Sequence, residues 1–193
     1  MIAGHFALAA AVKSTERQVP LWALMLSTAW LDFLFIPLFA AGAETIDTAP
    51  GATGYGSAVI HADYTHSLVG ALVLSALFGA AAMLPWGRRT ALVLGAVAFS
   101  HWLLDLLVHR GDMPILPGNA AGLPRLGFGL WQIPPLAIAV ELALVLAGAY
   151  LYSRAASETA PAGRSRTTGM TTSALVLVSA LAVLALDATG VLG

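Results

Sequence analysis

The segment TALVLGAVAFSHWLLDLLVH, Thr90–His109, decides how this chain reads. It is apolar enough and, at about 20 residues, long enough to cross a bilayer as a helix, yet it carries His101, Asp105 and His109. A central Asp costs about 2.5–3.5 kcal/mol on membrane-insertion scales. A span that keeps such residues has a use for them.

Outward from this segment lie four further apolar stretches: Pro20–Gly42, His66–Trp86, Leu130–Tyr152 and Thr172–Leu192. Pro134 and Pro135 predict a kink or a late helix start in the third of these. The apolar start, Met1–Val12, is too short to span and has its first cation, Lys13, on the wrong side for a cleavable signal peptide. It reads as a short embedded helix, with an interfacial anchor as the alternative. The expected fold is therefore all-α, a polytopic transmembrane helical bundle of five spanning helices plus a short N-terminal embedded helix. It forms one integral membrane domain over 1–193, with a core at 1–118 and two further helices at 130–192.

Composition agrees. Of 193 residues 59% are hydrophobic and 10% charged, with a mean hydropathy of +0.83, whereas a soluble domain is about a quarter charged. Lipid must cover part of the surface, so the bilayer is the expected partner. A net charge of -1 offers no basic surface, and no nucleic-acid partner is expected. Cysteine is absent, which excludes disulfides, thiolate ligands and cysteine nucleophiles together. Any metal must be held by imidazole and carboxylate.

The linkers differ in charge. Lys13, Arg17, Arg88, Arg89, Arg154, Arg164 and Arg166 fall on one side of the expected topology, and only Arg110 and Arg125 on the other. The positive-inside rule places the first group on the cytoplasmic side. Ala43–Asp63 and Arg110–Leu126 then become long outer loops of the kind that cover binding sites. Ala155–Thr171 reads as a cytoplasmic connector.

Within the spans sit Asp32, Glu141, His101 and Asp105, with His66 and His109 at span ends and His5 in the short first helix. The expected spans contain no Lys or Arg. A buried carboxylate needs a proton, a cation or a metal, so the candidates reduce to protons and a metal ion. His101, Asp105 and His109 recur at intervals of four on one helix face. The first two can bind one ion, while His109 lies about 12 Å along the axis from His101. Asp32 and His101 reach similar depths, and His66 enters from the outer side, which predicts a site in the outer half of the membrane. Thr65 is a candidate cap for the helix that follows it.

Blander readings stand beside these. His101 with Asp105 can be a hydrogen-bonded pair that locks two helices, and Asp32 a protonated structural carboxyl. Glu141 and Asp187 read as structural or supporting groups. Arg110–Gly111–Asp112 reads as a chance triplet, and the tryptophans Trp22, Trp30, Trp86, Trp102 and Trp131 as an interfacial belt.

The strings GHFALA (Gly4–Ala9), WLDFLF (Trp30–Phe35), THSL (Thr65–Leu68) and SHWLLDLLVH (Ser100–His109), in this order, resemble the YdjM-like family of bacterial membrane-bound metal-dependent hydrolases. The resemblance covers roughly residues 1–118. It departs where that family often has HRGxTHS, since here His61-Ala62-Asp63-Tyr64 precedes Thr65-His66-Ser67. It implies His5, Asp32, His66, His101 and Asp105 as metal ligands.

The expected function is hydrolysis of an ester or phosphoester, small or lipid-like, near the outer membrane face. One or two divalent ions are expected, zinc first with manganese or iron as alternatives. His109, His61 and Asp63 are candidate catalytic proton carriers, and Arg110 and Arg125 candidate substrate-binding cations. The competing classes are a proton- or metal-ion-coupled transporter or channel, and a non-catalytic membrane protein with a structural His/Asp cluster.

Overall fold

The computed structural model describes residues 1–51, 54–158 and 164–189, without the side chains of 158, 164–170, 172, 187 and 188. Asp187 is thus a side chain outside the described residues. The chain is mostly helical: α1 (Ile2–Thr15), α2 (Leu21–Thr28), α3 (Trp30–Ala40), α4 (Leu68–Val108), α5 (Pro134–Glu158) and α6 (Arg164–Ala188). Between α3 and α4 an antiparallel hairpin, β1 (Thr45–Thr48) with β2 (Ala58–His61), pairs Ile46 with Ile60 and Thr45 with His61. The outer loop expected over Ala43–Asp63 is thus an ordered two-stranded element. The chain is not strictly all-α.

Two of the described helices are long and apolar enough to cross a membrane, Leu68–Val108 and Pro134–Ser157, and a third if the bent pair α2–α3 is taken as one span. Five separate spans are not supported. The expected stretches His66–Trp86 and Thr90–His109 are joined in α4, which bends at Gly87 (φ 76, ψ 173), a backbone conformation that favours glycine. The two arms fold back on each other. A Cβ on Gly79 would lie 2.8 Å from the Ala91 carbonyl, so only glycine lets the arms approach this closely. The first expected stretch is broken by 46° between α2 and α3, and the apolar part of α6 runs only over Ser173–Leu186. Arg89 reaches Glu16 at 3.1 Å, which places the Gly87 bend beside the α1–α2 connection.

α1 is embedded as expected. Ala3, Ala7, Ala9 and Ala10 are buried, and it packs mainly on α5, with α2 and α6 beside it. Its first turn has no side-chain cap of its own. The Gly4 N–H instead donates to Glu141 Oε1 on α5 at 2.9 Å, and Tyr55 O–H donates to Glu141 Oε2 at 2.7 Å. Glu141 thereby supplies a partner that a helix N-terminus lacks internally. α5 starts late, at Pro134, as its prolines predict. It continues to Glu158, and α6 resumes at Arg164, so the expected connector is largely helical.

The α4 N-cap is Ser67, whose Oγ accepts from Gly70 N–H at 3.0 Å. Thr65, the expected cap, is turned toward a histidine instead.

Candidate metal centre

Three parts of the fold deliver their polar groups to one place. α1 contributes His5. The α2–α3 break contributes Asp32 and the Thr28 carbonyl. The two ends of α4 contribute His66 on one side and His101, Asp105 and His109 on the other.

His101 Nε2 lies 3.0 Å from Asp105 Oδ2, 3.5 Å from Asp32 Oδ1 and 3.2 Å from His66 Nε2. His66 Nε2 lies 3.6 Å from both Asp32 Oδ1 and Asp105 Oδ2. His5 Nε2 takes the other Asp105 oxygen, Oδ1, at 3.0 Å, and its ring stacks on His101 with centroids 3.8 Å apart.

The outer nitrogens determine which atoms face inward. His101 Nδ1 donates to the Thr28 carbonyl at 2.6 Å, and a carbonyl only accepts. Thr65 Oγ1 lies 3.0 Å from each oxygen of Glu44, a fully buried carboxylate that also accepts from the Tyr64 and Thr65 N–H groups. The Thr65 hydroxyl must therefore give its hydrogen to Glu44 and accept from His66 Nδ1 at 2.9 Å. His109 Nδ1 donates to Asp112 Oδ1 at 2.7 Å. With each Nδ1 protonated, the neutral rings of His66, His101 and His109 carry bare Nε2 lone pairs.

Four acceptor atoms thus crowd together with no donor between them: Nε2 of His66 and His101, Oδ1 of Asp32 and Oδ2 of Asp105. They repel unless a cation or an added proton lies among them. The five edges given above, of the six that four ligands make, run from 3.0 to 3.6 Å, compatible with the edges of about 3.3–3.4 Å that tetrahedral zinc sets with bonds of about 2.0–2.1 Å. Among the described residues, His5–His101–Asp105 and Asp32–His66–His101 are two groups that can hold a metal ion, and they share His101. Hydrogen bonds from a ligand's far nitrogen to a fixed acceptor are how proteins orient metal-binding histidines.

The cluster forms the polar end of a cavity of about 330 Å³ whose walls include Phe35, Ile36, Ile46, Ile60 and Trp131. Asp32 is its open side. The Asp32 side chain is 49% exposed, against 1% for His101 and 7% for Asp105. His109 lines the same cavity, with Nε2 4.0 Å from Asp105 Oδ2. Asp105 and His109, four residues apart, are neighbours on one face at the end of α4.

Comparisons with family models, curated proteins and solved structures gave no match. The chemistry of the site rests on its own atoms.

All five expected ligands meet here, but four other expected site residues do not. His61 pairs with Asp47 at 3.2 Å, half-exposed on the hairpin. Strand alternation explains this, because the adjacent Ile60 lines the cavity and so turns its successor away. Asp63 is held by Arg125 through contacts of 2.8 and 3.1 Å, and Arg125 also donates to the Asp112 carbonyl. Arg110 donates to the carbonyls of Gly56 and Trp131. Both arginines brace loops around the site and neither lines the cavity.

The sequence reading also passed over Glu44, Thr28 and Asp112. Glu44 and Asp112 fall in segments read as loops, and Thr28 acts at His101 through its backbone carbonyl. Of Arg110–Gly111–Asp112, the Arg braces the neighbouring loops and the Asp holds His109. Nor are all the tryptophans interfacial. Trp102 and Trp131 are buried, and Trp102 Nε1–H donates to the His66 carbonyl at 2.8 Å.

Proposed function

We propose that this chain is a membrane-bound metal-dependent hydrolase that cleaves an ester or phosphoester near the outer face of a bacterial inner membrane. Asp32, His66, His101 and Asp105 hold a divalent ion, zinc first and manganese or iron as alternatives. His5 steadies Asp105 or serves a second ion. The observation that carries this reading is the set of four converging acceptors, each histidine among them giving its Nδ1 hydrogen to a fixed acceptor. The resemblance to the YdjM-like family supports it.

A bound divalent ion supplies a Lewis acid that makes water more acidic and polarises the scissile group. The chain's own residues do the rest. His109, oriented by Asp112 and lining the cavity, accepts a proton from the attacking water at Nε2 and returns it to the leaving group. Asp32 sits at the open side, where a substrate enters. The walls of Phe35, Ile60 and Trp131 limit access of bulk water.

The charge distribution supports this orientation. The hairpin and the loop that follows α4 lie at the cation-poor end, and the Gly87 bend, with Arg88 and Arg89, at the other. Each arm of α4 is about 30 Å long, enough for one crossing. Ion conduction is less well supported, because the packing of α2 and α4 away from the site is apolar, with Ala23, Leu24, Leu94 and Val97 buried together.

The test is elemental analysis of the purified chain, followed by turnover of ester and phosphoester panels with and without chelator. The expected result is a near-stoichiometric divalent ion, and turnover that chelator abolishes and metal restores. A chain that binds no metal and melts identically in chelator sinks the reading. Proton or metal flux in liposomes that depends on Asp32 or Asp105, without turnover, transfers the site to transport.

A further inference from the structure

The cavity is polar at one end only. Asp105 and the imidazoles lie at its inner end, and the half-exposed Asp32 stands between them and the opening. The walls toward the mouth are Phe35 and Ile36 of α3, the cross-strand pair Ile46 and Ile60, and Trp131. Ile36 and Ile46 line the cavity and are also exposed on the outer surface, as is Ile2 of α1. The mouth is therefore framed by apolar side chains from three separate elements. On α3 the apolar surface continues away from the mouth through exposed Phe33 and Phe39. α3 is half of a bent pair that is long and apolar enough together to make one span, and with the pair in a bilayer this surface would meet hydrocarbon rather than water.

A cavity with ligating atoms at its inner end and hydrocarbon at its entrance matches a molecule that is polar at one end and apolar along the rest. A small water-soluble ester gains nothing from such walls. An acyl chain gains about 0.8 kcal/mol for each methylene that it buries.

Resting on the metal-hydrolase reading, we propose that the substrate is an acyl-chain amphiphile taken laterally from the bilayer. Its chain passes between Ile36 of α3 and Ile46 of the hairpin, and its scissile ester reaches the metal ligands past Asp32. Ile36 and Ile46 are then specificity-determining residues that contact the chain rather than the reacting atoms.

Chelating amphiphiles test this without turnover. The full-length chain in detergent is loaded with cobalt(II), whose visible absorption changes when a ligand joins the ion, and titrated with palmitoyl hydroxamate and with acetohydroxamate. The wild-type chain is expected to bind the long-chain probe at least about 100-fold more tightly, equivalent to a few buried methylenes. Ile36→Trp and Ile46→Trp are expected to weaken palmitoyl hydroxamate tenfold or more while leaving acetohydroxamate within twofold. Leu77→Trp, on an exposed face of α4 outside the cavity, is expected to change neither. Comparing variants with one probe cancels its partition into detergent. Equal affinity for the two probes, or a chain-length preference that survives both mouth substitutions, overturns the lateral-entry proposal while the cobalt spectrum leaves the metal reading standing. A chain that shows no site-bound cobalt spectrum sinks the metal reading and this inference with it.

Discussion

His66 and His101 hold their Nε2 atoms 3.2 Å apart, and neither neutral ring has a hydrogen there to share, because Thr65 and the Thr28 carbonyl take the hydrogens on the opposite nitrogens. Asp32 and Asp105 add two more acceptors. The arrangement costs free energy in the empty chain and is stabilising around a cation, so stability should follow metal occupancy. Chelator should lower the wild-type melting temperature by about 5–10 °C, taking metal at roughly 100 times its dissociation constant and a chain of this size. Asp105→Asn should lose the metal and its chelator response together. Its amide can donate into the cluster, so in chelator the variant should melt no lower than the wild type. Calorimetry or a fluorescence melt in detergent decides this, and a melt unaffected by chelator contradicts it.

Glu44 and Thr65 set the tautomer of His66 without touching the ion, so substitutions there should act on affinity through direction of hydrogen bonding rather than bulk. Thr65→Val removes the acceptor for Nδ1–H and should weaken metal binding by about 10–100-fold, whereas Thr65→Ser should stay near the wild type. Glu44→Gln is the sharper case. A glutamine amide can donate to Thr65, which then donates to His66 Nδ1 and moves the ring hydrogen to Nε2, where it blocks ligation. Nitrogen-15 spectra of the histidines should report that reversal. An unchanged tautomer with full metal affinity contradicts it.

The converging residues were legible from the sequence because an apolar context makes them conspicuous. His101 and Asp105 stand out in an apolar span, and the interval of four puts them on one helix face. Asp32 was legible for the same reason. The supporting residues were not. Glu44 and Asp112 lie in segments that read as loops, where an acidic residue is unremarkable until the backbone folds over it. His61 misled because it sits beside His66 in sequence, while strand alternation turns it outward. The span count failed for a different reason. Hydropathy measures apolar length, but the bend at Ala29 divides one stretch into two short helices, and the apolar part of α6 covers only Ser173–Leu186.

Protons compete for the same lone pairs, so metal affinity should fall as pH falls. Each of the two ligand imidazoles must be neutral to bind, so stabilisation by the ion should weaken as the solution is acidified. The logarithm of affinity should fall by up to about two for each pH unit once both rings protonate. Equilibrium dialysis from neutral to mildly acidic pH measures the slope. A flat profile means that His66 and His101 do not both bind the ion.

His109 separates chemistry from metal binding. Its Nε2 is 4.0 Å from Asp105 Oδ2, its Nδ1 is bound to Asp112, and it is in neither group that can hold a metal. If it carries the proton in hydrolysis, His109→Gln should retain the metal and the fold yet lower kcat by about 10²–10⁴-fold. Asp112→Asn should act in the same direction but less strongly, because it loosens the ring and leaves it in place. Its amide can also donate to Nδ1 and shift the ring hydrogen to Nε2. Loss of metal in His109→Gln would instead make this histidine a further ligand, and the proton would then need another carrier.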